Sequence, residues 1–379
     1  MVTRLLPLAL IASSLILAGC EVGAPTSDAG PVPSDNSLAR PVIPGHYIVV
    51  LDDAIAPSGV RSVAERLTAL AGGTIGVVYS HALRGFSIET TARGAAIIAR
   101  DARVRRVEQD IVVTARPTEG KLTGRNKAQD TSWGTTRVGG SHDGTGRRAW
   151  IIDSGIDLDH PDLRVDTEHA ATFVAGTSSA DDQNGHGTHV AGIVGALNNA
   201  IGSIGVAAGA TVVPVRVLDR RGNGEASWVI AGIDYVLANA AAGDVANLSF
   251  GAGLTPTIDE AVLRLAGAGI RIAIAAGNDG ANCAFVSPAR VNHANVYTVS
   301  AIDASDRFAS FSNYGAGIVD IAAPGVEILS SRRGGGVVSM TGTSMAAPHV
   351  AGLLLLGSLH TSGTAVGDID GQPDPIAVY

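Results

Sequence analysis

Three polar residues stand where a folding chain could bring them together. Asp153 ends the apolar run in "AWIIDSGIDLDHPDL", His186 precedes Gly187 at the entrance of "NGHGTHVAGIVGAL", and Ser344 opens a helix crowded with small residues in "MTGTSMAAPHVAGLLLL". Each alone has an ordinary reading, since an aspartate can end a strand or cap a turn and a serine can N-cap a helix. Together a carboxylate, an imidazole and a hydroxyl are the three parts of an activated nucleophile. A serine hydroxyl attacks poorly near neutral pH until an imidazole accepts its proton, and the imidazole needs a carboxylate to fix its tautomer and stabilise its charged form. His186 and His189 could also ligate a metal, but no glutamate lies between them and no third ligand cluster is evident. His189 is therefore expected to be a structural, hydrogen-bonded histidine.

Such residues must be held at the ends of regular elements. After Thr131, apolar strands alternate with helical patterns: "RRAWIID", a helix from about Gly187 to Leu197, "TVVPVRVL", "ASWVIAGIDYVLANAA", "DVANLSF", "IDEAVLRLAGAG" and "IRIAIAAG". This predicts, over 131–379, an α/β fold with a doubly wound parallel sheet and helices on both faces. Sites in such sheets gather beyond the carboxyl ends of the strands. Residues 45–115 read β-α-β-β-α-β, from "HYIVVL" to "VRRVEQDIVVTA", which predicts a small α+β ferredoxin-like sandwich. Between the two, residues 116–130 are polar, carry Lys121 and Lys127, and lack an apolar pattern, as a cleavage linker would.

The 379 residues are enough for a sizeable core plus a companion domain, and a 16% charged content with 48 glycines suits a tightly packed globular protein. A net charge of −8 and the lack of a long basic face argue against a nucleic-acid partner. Residues 1–19 read as an export signal, with Arg4 before an apolar run from Leu5 to Leu17 that is too short for a comfortable membrane span. "LAGC", ending at Cys20, resembles the bacterial lipobox, whose cysteine is acylated and becomes the new N-terminus; a plain secretory signal is the alternative. Acylation would anchor the precursor in the cell envelope, and Glu21 leaves the route to an outer membrane open. Residues 20–44, rich in Pro, Ser, Gly and Asp, read as a flexible tether.

With "DSGID", "HGTHVAG" and "GTSMAAPHVAG" in that order, the chain resembles the subtilisin-like serine proteases, from about Gly45 to Leu356. The order Asp, His, Ser is theirs and differs from that of the α/β-hydrolases, whose nucleophile elbow is also missing: Ala346 stands where a glycine would follow Ser344. The segments "YIVVL", "GFSIE" and "VEQDIVV" resemble the I9-type propeptide of that family, a folding chaperone and inhibitor. The resemblance implies a self-processing serine endopeptidase, with Asp153 as orienting acid, His186 as general base and Ser344 as nucleophile. Asn278 would be the oxyanion donor, beside the backbone N–H of Ser344. Gly222 and Gly224 on one edge, and Ser249, Phe250 and Gly251 on the other, would hold an extended substrate as an added strand. Phe250, Ala275, Ala276 and Gly277 would line an uncharged S1 pocket with a broad preference for apolar and aromatic P1 residues.

The same resemblance implies a structural calcium loop in which Asp162 gives a carboxylate, Asn199 a side-chain oxygen, and Ile201 and Ser203 backbone carbonyls. A metal-free turn held by glycines is the alternative. No cofactor is expected in catalysis. Cys283 lacks the partner that some relatives supply, and is expected to be a free, buried thiol. After the Ser344 helix a turn-rich tail is expected. The partners expected are protein and peptide substrates, the chain's own propeptide, and the membrane through lipid on Cys20; the enzyme is expected to be a monomer, released from the envelope once the propeptide is cut away. The competing functional readings are a catalytically silent, peptide-binding envelope lipoprotein and a hydrolase of esters or lipids.

Overall fold

A computed structural model describes residues 41–115, 117–123 and 128–379. The expected signal peptide, Cys20, most of the tether, Arg116 and residues 124–127 of the linker lie outside the described residues. The N-terminal part runs β1 (Val42–Leu51), α1 (Val60–Ala71), β2 (Thr74–Tyr79), β3 (Gly85–Glu89), α2 (Ala92–Ile98) and β4 (Val104–Thr114). Its strands pair antiparallel in the order β4-β1-β3-β2. In α1, Val60, Val63, Ala64 and Leu67 recur at helical spacing and bury one face against Val49, Leu51, Phe86 and Ile88. Thr91 caps α2 by accepting the Gly94 N–H at 3.0 Å. The expected tether gives way to strand at Val42, three residues early, because Val42 already pairs with Ile111 of β4 beyond an irregularity in the register.

Then follow β5 (Thr118–Thr123), α3 (Trp133–Arg137), β6 (His142–Asp143), β7 (Arg148–Asp153), β8 (Arg164–Val165), β9 (Ala171–Thr172), α4 (His186–Gly195), β10 (Ala207–Ala208), β11 (Thr211–Arg216) and β12 (Asn223–Glu225). The chain continues with α5 (Ala226–Asn239), β13 (Val245–Leu248), α6 (Pro256–Gly267), β14 (Arg271–Ala275), β15 (Val296–Ile302) and β16 (Ile321–Pro324). It closes with β17 (Ile328–Ser331), β18 (Val337–Thr341), α7 (Thr343–Leu356), β19 (His360–Thr364) and β20 (Pro375–Val378). The main sheet has the order β19-β20-β16-β15-β14-β13-β7-β11-β8 and is parallel except for the β19–β20 pair.

Alternation along the strands feeds two cores. Trp150 and Ile152 of β7 pack with α5 and α6 on one face, while Ala149 and Ile151 pack with α4 and α7 on the other. The sheet is thus the doubly wound one expected, with β7, β13 and β14 at its centre.

Two segments hold strands that their composition does not announce. In the polar linker β5 lies antiparallel on β18, with Thr118 opposite Thr341 and Val337 opposite Thr123. Pairing on an open edge uses backbone groups, so it leaves no apolar period in the sequence. The turn-rich C-terminal tail also carries β20, which extends the sheet beside β16, and Tyr379, which stacks on His142 at 3.6 Å.

Candidate active site

Asp153 is the last residue of β7, and its carboxylate is fully buried. Its Oδ1 accepts the Ser154 N–H at 2.6 Å and lies 2.7 Å from His186 Nδ1. A carboxylate can only accept, so Nδ1 carries the imidazole proton and Nε2 is left as the base. His186 begins α4 after Gly185, whose φ of +111° suits glycine. Burial disfavours the imidazolium, but the charge and hydrogen bond of Asp153, with the charge of Asp182, outweigh it and hold His186 above its ordinary value. Nε2 is buried and bonded to no atom of the described residues.

Ser344 is the second residue of α7 and is buried. Its hydroxyl donates to the Ser249 carbonyl at 3.0 Å, and the Ser249 hydroxyl donates back to the Ser344 carbonyl at 3.0 Å. Asn247 Nδ2 donates to Ser249 Oγ at 2.8 Å, tying β13 to the start of α7. Asn278 follows β14 after Gly277. Its Oδ1 accepts the Thr343 N–H at 2.8 Å and the Thr343 hydroxyl at 2.9 Å, which directs the amide N–H groups the opposite way. A Cβ on Gly342 would stand 3.1 Å from Asn278 Nδ2, so glycine there keeps the approach open.

The expected substrate edges are both engaged by the chain itself. On one side β12 pairs with β4, Asn223 opposite Thr114 and Gly224 opposite Val113, and the Ala115 N–H donates to the Gly222 carbonyl at 3.0 Å. On the other side Thr114 and Gly251 exchange both backbone hydrogen bonds, at 3.1 and 3.0 Å. Residues 112–115 are therefore a strand laid between the two edges, and β5 resumes on Thr341, three residues before Ser344.

Beside Ser344 lies a cavity of about 70 Å³ lined by Thr114, Phe250, Gly251, Ala275, Gly277 and Val286, with Asn278 and Asp279. Asp279, which follows Asn278 in the same turn, is exposed and borders this cavity. Ala276 is fully buried and is not part of that wall.

The family description "Subtilase family" matches residues 150–360, and "Peptidase inhibitor I9" matches residues 46–116. The extracellular serine proteinase of Thermus sp. (strain Rt41A) is 35% identical over 378 residues, covering 92% of this chain and 88% of that protein. The subtilisin-like serine protease AsES of Sarocladium strictum is 38% identical over 361 residues, covering 90% of this chain and 87% of its own. The crystal structure of a cold adapted subtilisin-like serine proteinase superposes with a TM-score of 0.58 and 36% identity, over 64% of this chain and 96% of that one. This chain belongs to the subtilase family. It is a serine-type endopeptidase with an I9 propeptide domain before its catalytic domain.

The propeptide of this subtilase reaches the catalytic domain through charged residues that sequence reasoning missed. Asp110 Oδ1 accepts the N–H of Ser227, in the first turn of α5, at 3.2 Å, and Glu108 accepts the hydroxyl of Thr257, in the first turn of α6. Neither helix has a side-chain cap of its own at the N-cap residue. The propeptide thus supplies negative charge where two helices present unpaired N–H groups. In return Asp234 of α5 accepts the N–H groups of Ser80, His81 and Ala82.

Asp162, Asn199, Ile201 and Ser203 do converge in this subtilase. Asn199 Nδ2 donates to Asp162 Oδ1 at 2.8 Å and the Ser203 N–H to Asp162 Oδ2 at 3.0 Å. Gln129, also missed, donates to the carbonyls of Leu197 at 2.7 Å and Ser203 at 3.3 Å. Burial raises the Asp162 carboxyl to about 6, and a Cβ on Gly202 would fall 2.2 Å from its Oδ2. A buried carboxylate, two amides that can turn their oxygens inward and several carbonyls are a donor set that fits a hard cation.

His189 Nε2 lies 3.0 Å from each of the Ile328 and Val338 carbonyls, and burial lowers it to about 3, so it is the structural histidine expected. Cys283 is a free, buried thiol that burial pushes well above its ordinary value. Asp182 had no motif to reveal it. It accepts from Ser154, Asn184, Gly185 and Thr188 and so fixes the turn that presents His186.

Proposed function

We propose that this subtilase cuts peptide bonds with Ser344 as nucleophile, His186 as general base and then acid, and Asp153 as the orienting acid, and that it is made as a zymogen that cuts itself. The observation that carries this reading is the strand at residues 112–115 between the two edges, continued by β5 beyond Ser344. An extended chain bonded on both sides of a nucleophile lies as a substrate would.

For reaction, the Ser344 hydroxyl turns from the Ser249 carbonyl toward His186 Nε2. Oγ attacks the scissile carbonyl carbon as its proton passes to Nε2, and the oxyanion is met by Asn278 Nδ2–H and the Ser344 N–H at the start of α7. Collapse breaks the C–N bond and the departing amine takes the proton from Nε2. Water then repeats the sequence on the acyl-enzyme and restores the serine.

The substrate is an extended protein or peptide segment held by Gly222, Gly224, Ser249, Phe250 and Gly251. The apolar walls of the pocket favour apolar and aromatic P1 residues. The cut falls within the linker after Ala115, and N-terminal sequencing of the mature chain identifies the bond. A calcium ion held by Asp162, Asn199, Gln129 and the carbonyls of Ile201 and Ser203 would lock the loop after α4 and take no part in the chemistry. We further propose export, supported by relatives named as extracellular, and acylation of Cys20. Because Cys20 precedes the cut, lipid would hold the precursor and maturation would free a monomeric enzyme.

A serine-directed fluorophosphonate tests the reading. It should label the mature wild type and leave Ser344→Ala unlabelled; an unreactive wild type would refute the mechanism.

A further inference from the structure

Away from the catalytic centre, where β1, β4 and the start of α5 meet, three metal-ligating side chains converge. Among the described residues, His46, Asp110 and Glu225 are a group whose ligand atoms all lie within 4.8 Å of one another. His46 Nδ1 is 3.5 Å from Glu225 Oε2. Asp110 is 1% exposed, and although its Oδ1 caps α5, its Oδ2 has no hydrogen-bond partner. Burial raises both carboxyls, Asp110 raises Glu225 further, and the charge of His46 opposes the rise in each. The group opens on a cavity of about 320 Å³, also lined by Ser227, Trp228 and Phe173, which leaves room for entry and for water ligands.

We propose that His46, Asp110 and Glu225 bind a divalent transition-metal ion of the zinc class, and that this ion clamps the propeptide to the catalytic domain. Imidazole nitrogen and carboxylate oxygen are both zinc ligand types, and three protein ligands with water in the fourth position complete a tetrahedral site. Ligand atoms about 2.1 Å from a tetrahedral ion stand roughly 3.4 Å apart, so separations of up to 4.8 Å need to close by about 1.4 Å at most. His46 and Asp110 belong to the propeptide and Glu225 to the catalytic domain, so the complete site exists only while the two are docked. Binding to the docked form alone makes docking more favourable by mass action, about 100-fold at a metal concentration 100 times the Kd.

The full chain carrying Ser344→Ala, kept in excess calcium to fill hard-cation sites, is stripped with a chelator and titrated with Zn²⁺ by calorimetry and with Co²⁺ by visible absorption. One equivalent should bind, with a tetrahedral cobalt spectrum, and His46→Ala in the same background should lose both while keeping its near-UV circular dichroism. His46 is half-exposed and caps no helix, which makes it the safer variant, and Glu225→Gln gives a second one. Absence of stoichiometric binding, or undiminished binding by both variants, overturns the site. The clamp also rests on the zymogen reading: in wild type, Zn²⁺ should delay the appearance of activity and His46→Ala should be insensitive. Binding without that delay overturns the clamp, whereas failure of self-cutting leaves the binding measurement on Ser344→Ala intact.

Discussion

Of the twelve residues of α1 in the propeptide four are buried, and of the fourteen of α7 in the catalytic domain thirteen are. The propeptide sheet has a helical layer over a small core from Val49 to Ile98, whereas the catalytic sheet is packed on both faces. The contact between them is both apolar and polar. Ile48, Tyr79, Ala82, Leu83 and Val113 of the propeptide are buried in one core with residues of α5 and α6. In addition, Glu108 and Asp110 meet helix ends, Arg105 and Arg106 pair with Glu260, and Asp234 receives three backbone N–H groups. Apolar burial at a domain boundary supplies affinity, while polar and charged contacts hold orientation and register.

Variants can sharpen that contrast or break it. Asp153→Asn should lower kcat by about 10⁴-fold, a size known from other triad enzymes, while the propeptide still docks. His186 is held above its ordinary value, so kcat/KM of the mature enzyme should fall as pH drops through that raised value. Asp153→Asn removes the charge that raises it and should move the acid limb to lower pH, as residual activity against pH will show. An unmoved limb would mean the titrating group is not His186.

Asn278→Ala should cost about 10²–10³-fold in kcat with KM little changed, a magnitude established on subtilisin itself. Single-turnover kinetics on an ester and a peptide check it.

Removing calcium should shift the folding equilibrium by about 100-fold relative to calcium at 100 times its Kd. The sign with pH is fixed by Asp162. Its folded value of about 6 lies above the ordinary carboxyl range, so in metal-free protein its contribution to stability is present at low pH and lost as pH rises through 6. Thermal melts in chelator should show this loss, and Asp162→Asn should remove it.

Glu108→Ala takes away the carboxylate at the start of α6. A lost cap costs about 0.5–2 kcal/mol, so inhibition of mature enzyme by the isolated propeptide segment should weaken by about 2–30-fold. No change would count against the Glu108–Thr257 contact as a contributor to docking.

The candidate catalytic residues were readable because chemistry restricts residue type at the ends of strands and helices: Asp153, His186, Ser344 and Asn278 sit in distinctive local patterns, and the structure brings Asp153 against His186 and Thr343, next to Ser344, against Asn278. The order of elements was readable for the same kind of reason, since buried strands and amphipathic helices have periods. What was hidden depends on contacts distant in sequence. Thr343 orients Asn278 across 65 residues, and Asp110 caps a helix 117 residues away. β5 was invisible because its pairing with β18 is made by backbone groups.

The central claim is that the chain lying across Ser344 is the enzyme's own first substrate. Intact-mass measurement on purified wild type and Ser344→Ala, expressed side by side, tests it directly. The wild type should give two chains, separated within the linker beyond Ala115, and Ser344→Ala one uncut chain. Equal cutting of both would contradict it.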